Sequence, residues 1–187
     1  MRLRVFVCSL AMFLLGGAAA FAQDNPKVDV FAGYSYVRAN PGPTSGNDFS
    51  LNGGSVSVDY HVTGWLGAVA DFGGYHNGDV RGTGTTGTMT SYLFGPRVSL
   101  RSYRRITPFA QTLFGFARGT SDVSGTLTGN QNAFAMTVGG GVDYKINNRF
   151  SVRPLQVEYL LTRFTQGTTS NQTENNLRAS AGVVVHF

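Results

Sequence analysis

Residues 177–187 read Leu-Arg-Ala-Ser-Ala-Gly-Val-Val-Val-His-Phe, and this stretch decides the fold that the sequence predicts. From Leu177 to Phe187 every second side chain is apolar, and the residues between them include Arg178, Ser180 and His186. Alternation with a period of two is typical of a β-strand whose two faces meet different surroundings. The same alternation is clean over 134–144 and recurs over six further stretches: 28–37, 55–62, 66–73, 92–100, 108–116 and 154–161.

The connections between these eight predicted strands alternate in length. Short connections fall near 61–64, 101–106 and 145–149. Long connections, rich in Gly, Thr, Ser, Asn and Pro, fall near 39–50, 76–88, 119–131 and 165–174. This order predicts an all-β, eight-stranded antiparallel up-and-down barrel with its short turns at one end.

The composition of the 187-residue chain narrows the class of protein. Charged residues make up 13% of it, against about 25% in an ordinary soluble domain. One cysteine excludes an internal disulfide, and the net charge of +5 is too modest to predict a nucleic-acid partner.

The N-terminal segment predicts an exported protein. Arg2 and Arg4 precede an apolar stretch, and Ala20-Phe21-Ala22 fits the recognition pattern of signal peptidase. We therefore expect residues 1–22 to be a cleaved signal peptide and residues 23–187 to form one barrel domain; the alternative is a membrane anchor over 5–22. Cleavage would remove Cys8, so no thiol chemistry is expected in the mature chain.

The polar face of the strands indicates which side of the barrel faces lipid. A soluble ligand-carrying barrel is apolar inside and polar outside, whereas a transmembrane barrel is the reverse. The polar face carries small residues and single charges of both signs, while the Lys and Glu expected of a water-facing exterior are scarce. This favours a transmembrane barrel with a charge network in its lumen, formed by Asp59, Asp71, Arg97, Asp143, Glu158 and Arg178.

Aromatic residues concentrate near both ends of the predicted strands. Such girdles are typical of the two interfaces of a membrane, although single rings could also be ordinary core residues. The short-turn end has Tyr60, Trp65, Tyr103, Tyr144, Phe150 and Phe187, and the long-loop end has Tyr36, Phe49, Tyr75, Phe116 and Phe134.

Three motifs carry a resemblance to a known family. Phe31-Ala32-Gly33-Tyr34-Ser35-Tyr36, the stretch 65–73 and the C-terminal strand resemble the OmpA-like outer-membrane β-barrel family across 23–187. In that family the alternating Val183, Val185 and terminal Phe187 correspond to an assembly signal. The resemblance covers the barrel domain only, without a peptidoglycan-binding domain. It implies a Gram-negative outer membrane, periplasmic termini, and periplasmic chaperones and the barrel-assembly machinery as partners during biogenesis.

The sequence has few features that indicate catalysis or metal binding. No phosphate-binding or zinc motif is present, and three histidines far apart in sequence predict no metal site and no cofactor. His61 beside Asp59, or His76 near Asp79, could serve as a catalytic base, but their spacing has no specific support. The sequence therefore predicts no catalytic residues.

The function predicted is that of a non-enzymatic integral outer-membrane barrel. It would be monomeric, surrounded by outer-membrane lipids, and would have a structural or surface-interaction role through long extracellular loops. Two alternatives stay open: a small pore that uses the charged lumen, and a lipid A-modifying enzyme that uses His76.

Overall fold

The computed structural model describes residues 27–40, 49–80, 85–101, 105–123, 126–166 and 170–187. The predicted signal peptide lies outside these residues. The eight strands are β1 (Val28–Asn40), β2 (Phe49–His61), β3 (Leu66–Val80), β4 (Thr85–Ser99), β5 (Ile106–Val123), β6 (Thr126–Lys145), β7 (Phe150–Gln166) and β8 (Ser170–His186). Within the described ranges, no helix combines the length and the apolar character needed to cross a membrane.

The strands form one closed barrel. Each strand pairs antiparallel with the next along the chain, and β1 also pairs with β8, for example Asp29 with His186 and Val30 with Val185. The predicted eight-stranded antiparallel up-and-down barrel is confirmed. Closure pairs the first and last strands, so the sheet has no free edge.

The two faces of the sheet differ as the alternation predicted. The outward face is apolar and aromatic, with Tyr60, Phe94, Phe116 and Phe134 about half exposed. The inward face contains buried serines, glutamines and charged residues. A water-soluble protein has the opposite arrangement, so this barrel is built for an apolar surrounding.

The lumen is filled with side chains. An apolar cluster lies mostly towards the long-loop end and includes Val37, Leu51, Leu93, Leu113 and Leu160. Nearer the short-turn end, buried charged side chains replace these apolar ones. Filling of this kind is expected, because eight strands enclose a space only wide enough for side chains.

Three of the predicted long loops are wrong over most of their length. The strands on either side of each of these connections are longer than predicted. β3 ends at Val80 and β4 begins at Thr85. β5 ends at Val123 and β6 begins at Thr126, and β7 ends at Gln166 and β8 begins at Ser170. The apolar alternation stops earlier than the strands do, because a strand end with the same surroundings on both faces needs no difference between those faces. Loss of alternation in the sequence therefore indicates a change of surroundings and not the end of the strand.

Two residues lie on the face opposite to the one predicted. Tyr75 was placed in the outer aromatic girdle but is buried in the lumen, where Arg178 donates to its hydroxyl at 3.0 Å. Regular alternation over 154–161 would put Pro154 on the polar face with Gln156 and Glu158, but Pro154 is exposed outside the barrel, because a β-bulge interrupts β7 between Arg153 and Gln156. Of the other predicted girdle residues, Tyr103 and the side chain of Phe49 lie outside the described part of the chain.

Candidate functional site in the barrel lumen

The six charged residues predicted for the lumen come from six different strands. Asp59 lies on β2, Asp71 on β3, Arg97 on β4, Asp143 on β6, Glu158 on β7 and Arg178 on β8. Asp143 is partly buried and the other five are buried. The structure thus places all six side chains inside the barrel, and hydrogen bonds join them into one network.

Arg178 connects three strands at the centre of this network. Its NH1 donates to Asp71 Oδ1 at 2.7 Å, and its Nε donates to Glu158 Oε2 at 2.6 Å. Both carboxylates and the guanidinium are almost completely buried. A buried charge is retained when it is paired and hydrogen-bonded, and this arrangement meets both conditions.

Arg97 is linked to the same centre through a glutamine that the sequence analysis missed. Arg97 Nε donates to Gln111 Oε1 at 2.8 Å, and Gln111 Nε2 donates to Glu158 Oε1 at 2.7 Å. Arg97 NH1 also donates to Asp59 Oδ2 at 3.2 Å. The amide of Gln111 therefore joins the Arg178 group to the Asp59 group.

Arg153 is a second network member that the sequence analysis missed. It donates from Nε and NH2 to the two oxygens of Asp143, at 2.6 and 3.0 Å, and from NH1 to Gln156 Oε1 at 2.7 Å. Its guanidinium carbon also lies 4.3 Å from the centre of the Phe109 ring. Regular alternation would put Arg153 outside, and only the bulge after it turns the side chain inwards.

A second group of polar side chains, which shares Asp59 with this network, lies at the short-turn end of the lumen. We call it the mouth cluster and define it as Asp29, Asp59, His61, Ser151 and His186. His61 Nε2 lies 3.0 Å from Asp29 Oδ2 and 3.5 Å from Asp59 Oδ2. His186 Nδ1 lies 2.6 Å from Asp29 Oδ1. Two histidines far apart in sequence come together here because β1 pairs with both β2 and β8.

Part of the mouth cluster has the connectivity of a hydrolase triad. Ser151 Oγ lies 2.7 Å from His186 Nε2, and the other nitrogen of that ring contacts Asp29. A nucleophile must meet its substrate, however, and Ser151 is only 2% exposed. We therefore interpret this chain of hydrogen bonds as one that holds His186 and Asp29 in place.

His76, the other candidate catalytic base, is in a different region. It is exposed on β3, and its Nδ1 lies 3.3 Å from Thr88 Oγ1. The side chain of Asp79, its suggested partner, lies outside the described residues. His76 is also on the half of β3 away from the mouth cluster.

The lumen carries an excess of negative charge. Among the described side chains of the network, the carboxylates are Asp29, Asp59, Asp71, Asp143 and Glu158, and the buried guanidiniums are Arg97, Arg153 and Arg178. Arg178 and Arg153 are each bound to carboxylates away from the mouth. Arg97 is bound to Asp59, so among the described side chains Asp29 is the mouth carboxylate that no buried guanidinium contacts.

Residues 8–187 match the sequence profile of the outer membrane protein β-barrel domain. A search of curated proteins gave no significant match.

Among solved structures, Neisserial surface protein A is similar, with a TM-score of 0.66 and 17% identity, over 86% of this chain and 97% of that one. Ail, the attachment invasion locus protein of Yersinia pestis, has a TM-score of 0.60 and 12% identity. The match covers 87% of this chain and 99% of that one. The structure of Ail in complex with the heparin analogue sucrose octasulfate has a TM-score of 0.60 and 13% sequence identity. The match covers 87% of this chain and 99% of that one. At these identities the likeness concerns the fold alone.

Proposed function

The chain belongs to the outer membrane protein β-barrel family, and from that premise we propose that it is a non-enzymatic, monomeric barrel of the Gram-negative outer membrane with a structural or surface-interaction role. The surface that interacts would be the end of the barrel where β5 and β6 extend furthest. Outer-membrane lipids would surround the apolar outer face. The extracellular ligand would contact the extended strands.

The length of β5 and β6 is the observation that supports this proposal. A transmembrane β-strand needs about 9–11 residues, whereas β5 has 18 and β6 has 20. The outward rings of Phe116 and Phe134, which are paired in register, fit a membrane interface. Beyond that pair the hairpin continues to Val123 and Thr126, so it extends well past the membrane.

Membrane orientation can be tested by labelling single cysteines. The sequence has one cysteine, Cys8, inside the predicted signal peptide, so an introduced cysteine would be unique in the mature protein. Asn132→Cys lies on the extended hairpin and Asn147→Cys lies in a short turn, and both positions are exposed. We expect a membrane-impermeant maleimide to label Asn132→Cys on intact cells and Asn147→Cys only after lysis. The opposite result would overturn the proposed orientation.

The interaction role can be tested by shortening the hairpin. A variant in which an Asn-Gly turn replaces residues 120–130 should still migrate differently before and after boiling on SDS gels, because the membrane-spanning part is intact. We expect its cells to lose retention on immobilised heparin, a probe chosen because a heparin analogue binds the structural neighbour Ail. Equal retention by wild-type and shortened barrels would argue against a role for this hairpin.

Export and assembly are further parts of the proposal. N-terminal sequencing of the protein from outer-membrane fractions should give Gln23 as the first residue if residues 1–22 are a cleaved signal peptide. Val183, Val185 and Phe187 would be read by the barrel-assembly machinery after escort by periplasmic chaperones. A first residue other than Gln23 would move or remove the proposed cleavage site.

A small pore is the second candidate, and the charged lumen favours it. The buried apolar side chains on the long-loop side of the charges favour the structural role, since they fill part of the lumen. Planar-bilayer recording separates the two. Steady conductance in wild type that changes in Arg97→Ala would support the pore, and silence in both would support the structural role.

A further inference from the structure

We propose that the mouth cluster is a divalent-cation site, with Zn²⁺ as the best-matched ion. Asp29, Asp59 and His61 each offer one ligand atom, and these atoms lie within 4.8 Å of one another. Imidazole nitrogen and carboxylate oxygen are both common Zn²⁺ ligands. Three protein ligands would leave a further position for water or for another ligand, on the side that opens at the end of the barrel.

One ligand of this site is buried with an unmet bonding capacity. Asp59 is 2% exposed, and its Oδ1 has no hydrogen-bond partner in the described part of the chain. A Cβ at position 67 would overlap that oxygen, so Gly67 provides the space in which the carboxylate lies. A buried carboxylate oxygen without a partner is costly, and coordination of a metal ion by Oδ1 would satisfy it.

A second ligand is held in place by its neighbours. While Oδ2 of Asp29 faces His61, Oδ1 of the same carboxylate contacts His186, which contacts Ser151 on the other side of its ring. Metal-binding carboxylates are commonly fixed by outer hydrogen bonds of this kind. His186 and Ser151 are therefore positioning residues for Asp29.

Two cationic side chains already lie against these ligands: the buried Arg97, which donates to Asp59 Oδ2 at 3.2 Å, and the more exposed Arg101. One guanidinium nitrogen of Arg101, NH2, lies 2.6 Å from His61 Nε2 and 3.8 Å from Asp29 Oδ2. The Arg101 side chain is 38% exposed and follows the end of β4, so it can move out towards solvent. We infer that Arg101 and the metal ion compete for one position, and that the excess carboxylate charge attracts whichever cation is present.

The test is Zn²⁺ titration of the full mature barrel, purified without a histidine tag, treated with a chelator and kept in detergent micelles. Wild type should bind about one Zn²⁺. His61→Ala should lose this binding, whereas His76→Ala, a matched histidine far from the cluster, should keep it. Arg101→Ala should bind about tenfold more tightly or better, since a nearby positive charge has been removed.

A second set of measurements separates coordination from loss of fold. Every variant is first compared before and after boiling on SDS gels, and only folded variants are titrated. Co²⁺ should give visible absorption bands in wild type that are absent in His61→Ala. His186→Ala should weaken Zn²⁺ binding about 10- to 100-fold, as outer-shell changes do. Gly67→Ala should also weaken it, by displacing Asp59.

Three results would overturn the proposal. The first is absence of Zn²⁺ binding in both wild type and Arg101→Ala. The second is equal binding by wild type and folded His61→Ala. The third is loss of binding in His76→Ala, which would place the ion elsewhere in the barrel.

Discussion

Arg178 shows at the scale of one residue how the lumen tolerates charge. Its guanidinium meets Asp71 on one side and Glu158 on the other, and it also reaches the hydroxyl of Tyr75. Among the described side chains, Arg178 is the one cation that forms an ion pair with either carboxylate. Removing Arg178 would therefore leave two buried negative charges.

We predict that Arg178→Ala lowers the free energy of unfolding by about 3–5 kcal/mol, the usual cost of leaving a buried charge unpaired. Arg149→Ala removes an exposed arginine from a turn. This change should alter the free energy of unfolding by less than about 0.5 kcal/mol. Urea unfolding in lipid vesicles measures both. Equal stability of the two variants would mean that water or a shifted side chain replaces Arg178.

Gly139 also affects the buried charges of the lumen, because it leaves space beside Glu158. A Cβ at this position would overlap the carbonyl oxygen of Val157 and the side chain of Glu158. Gly74, on the outward face of β3, has nothing within 4 Å of such a Cβ. The two glycines are thus a matched pair, one required by the lumen and one not.

We predict that Gly139→Ala lowers the free energy of unfolding by about 1–3 kcal/mol, as overpacking does. Gly74→Ala should lie within about 0.5 kcal/mol of wild type. The same urea unfolding experiment measures both changes. A stable Gly139→Ala would show that Glu158 has room to move.

At the scale of one element, β7 is the strand that departs from regular geometry. Pro154 and Leu155 together oppose one residue of β8, and both point outwards. Proline in a sheet is found at bulges because it cannot donate to the hydrogen-bond ladder. The bulge keeps Arg153 and Gln156 on the lumen side.

We predict that deletion of Pro154 is tolerated. Without it, Leu155 alone separates Arg153 from Gln156, so alternation and both neighbouring registers become regular. Deletion of Val138 from the unbulged middle of β6 should abolish folding, because it turns one half of that strand inside out. The difference in gel migration before and after boiling should persist in the first variant and disappear in the second. Loss of folding on deletion of Pro154 would show that the bulge is required.

The same element explains how far the sequence could predict this molecule. Alternation gave the faces of the other strands correctly, and it put the six charged residues on the inward side. It failed at Arg153, because a bulge has no signature in the pattern of apolar residues. It missed the contact of His186 with Asp29, because that contact depends on closure between the first and last strands.

At the scale of the whole molecule, the seam between β1 and β8 completes the barrel. Val28 and Phe187 exchange backbone hydrogen bonds at its end, with N···O distances of 3.2 and 2.8 Å. Unpaired backbone groups in lipid would cost several kcal/mol each. The seam is therefore needed for insertion, separately from any recognition of the C-terminal strand by other proteins.

We predict that Phe187→Ser separates these two roles. The purified variant should refold into lipid vesicles like wild type, because the backbone bonds of the seam are kept. Its yield in the outer membrane should fall severalfold, because the terminal aromatic ring of the assembly signal is lost. Deletion of residues 183–187 should impair both. A normal membrane yield for Phe187→Ser would remove Phe187 from the proposed signal.

The seam between β1 and β8 also affects the order in which the strand pairings form during folding. Seven of the eight strand pairings join neighbours along the chain and can form as soon as both strands exist, whereas the pairing of Asp29 with His186 spans almost the entire described chain. Contacts between such distant residues form slowly, because the intervening chain must first be ordered. We therefore expect the pairing of the first strand with the last to form after the pairings between sequence neighbours.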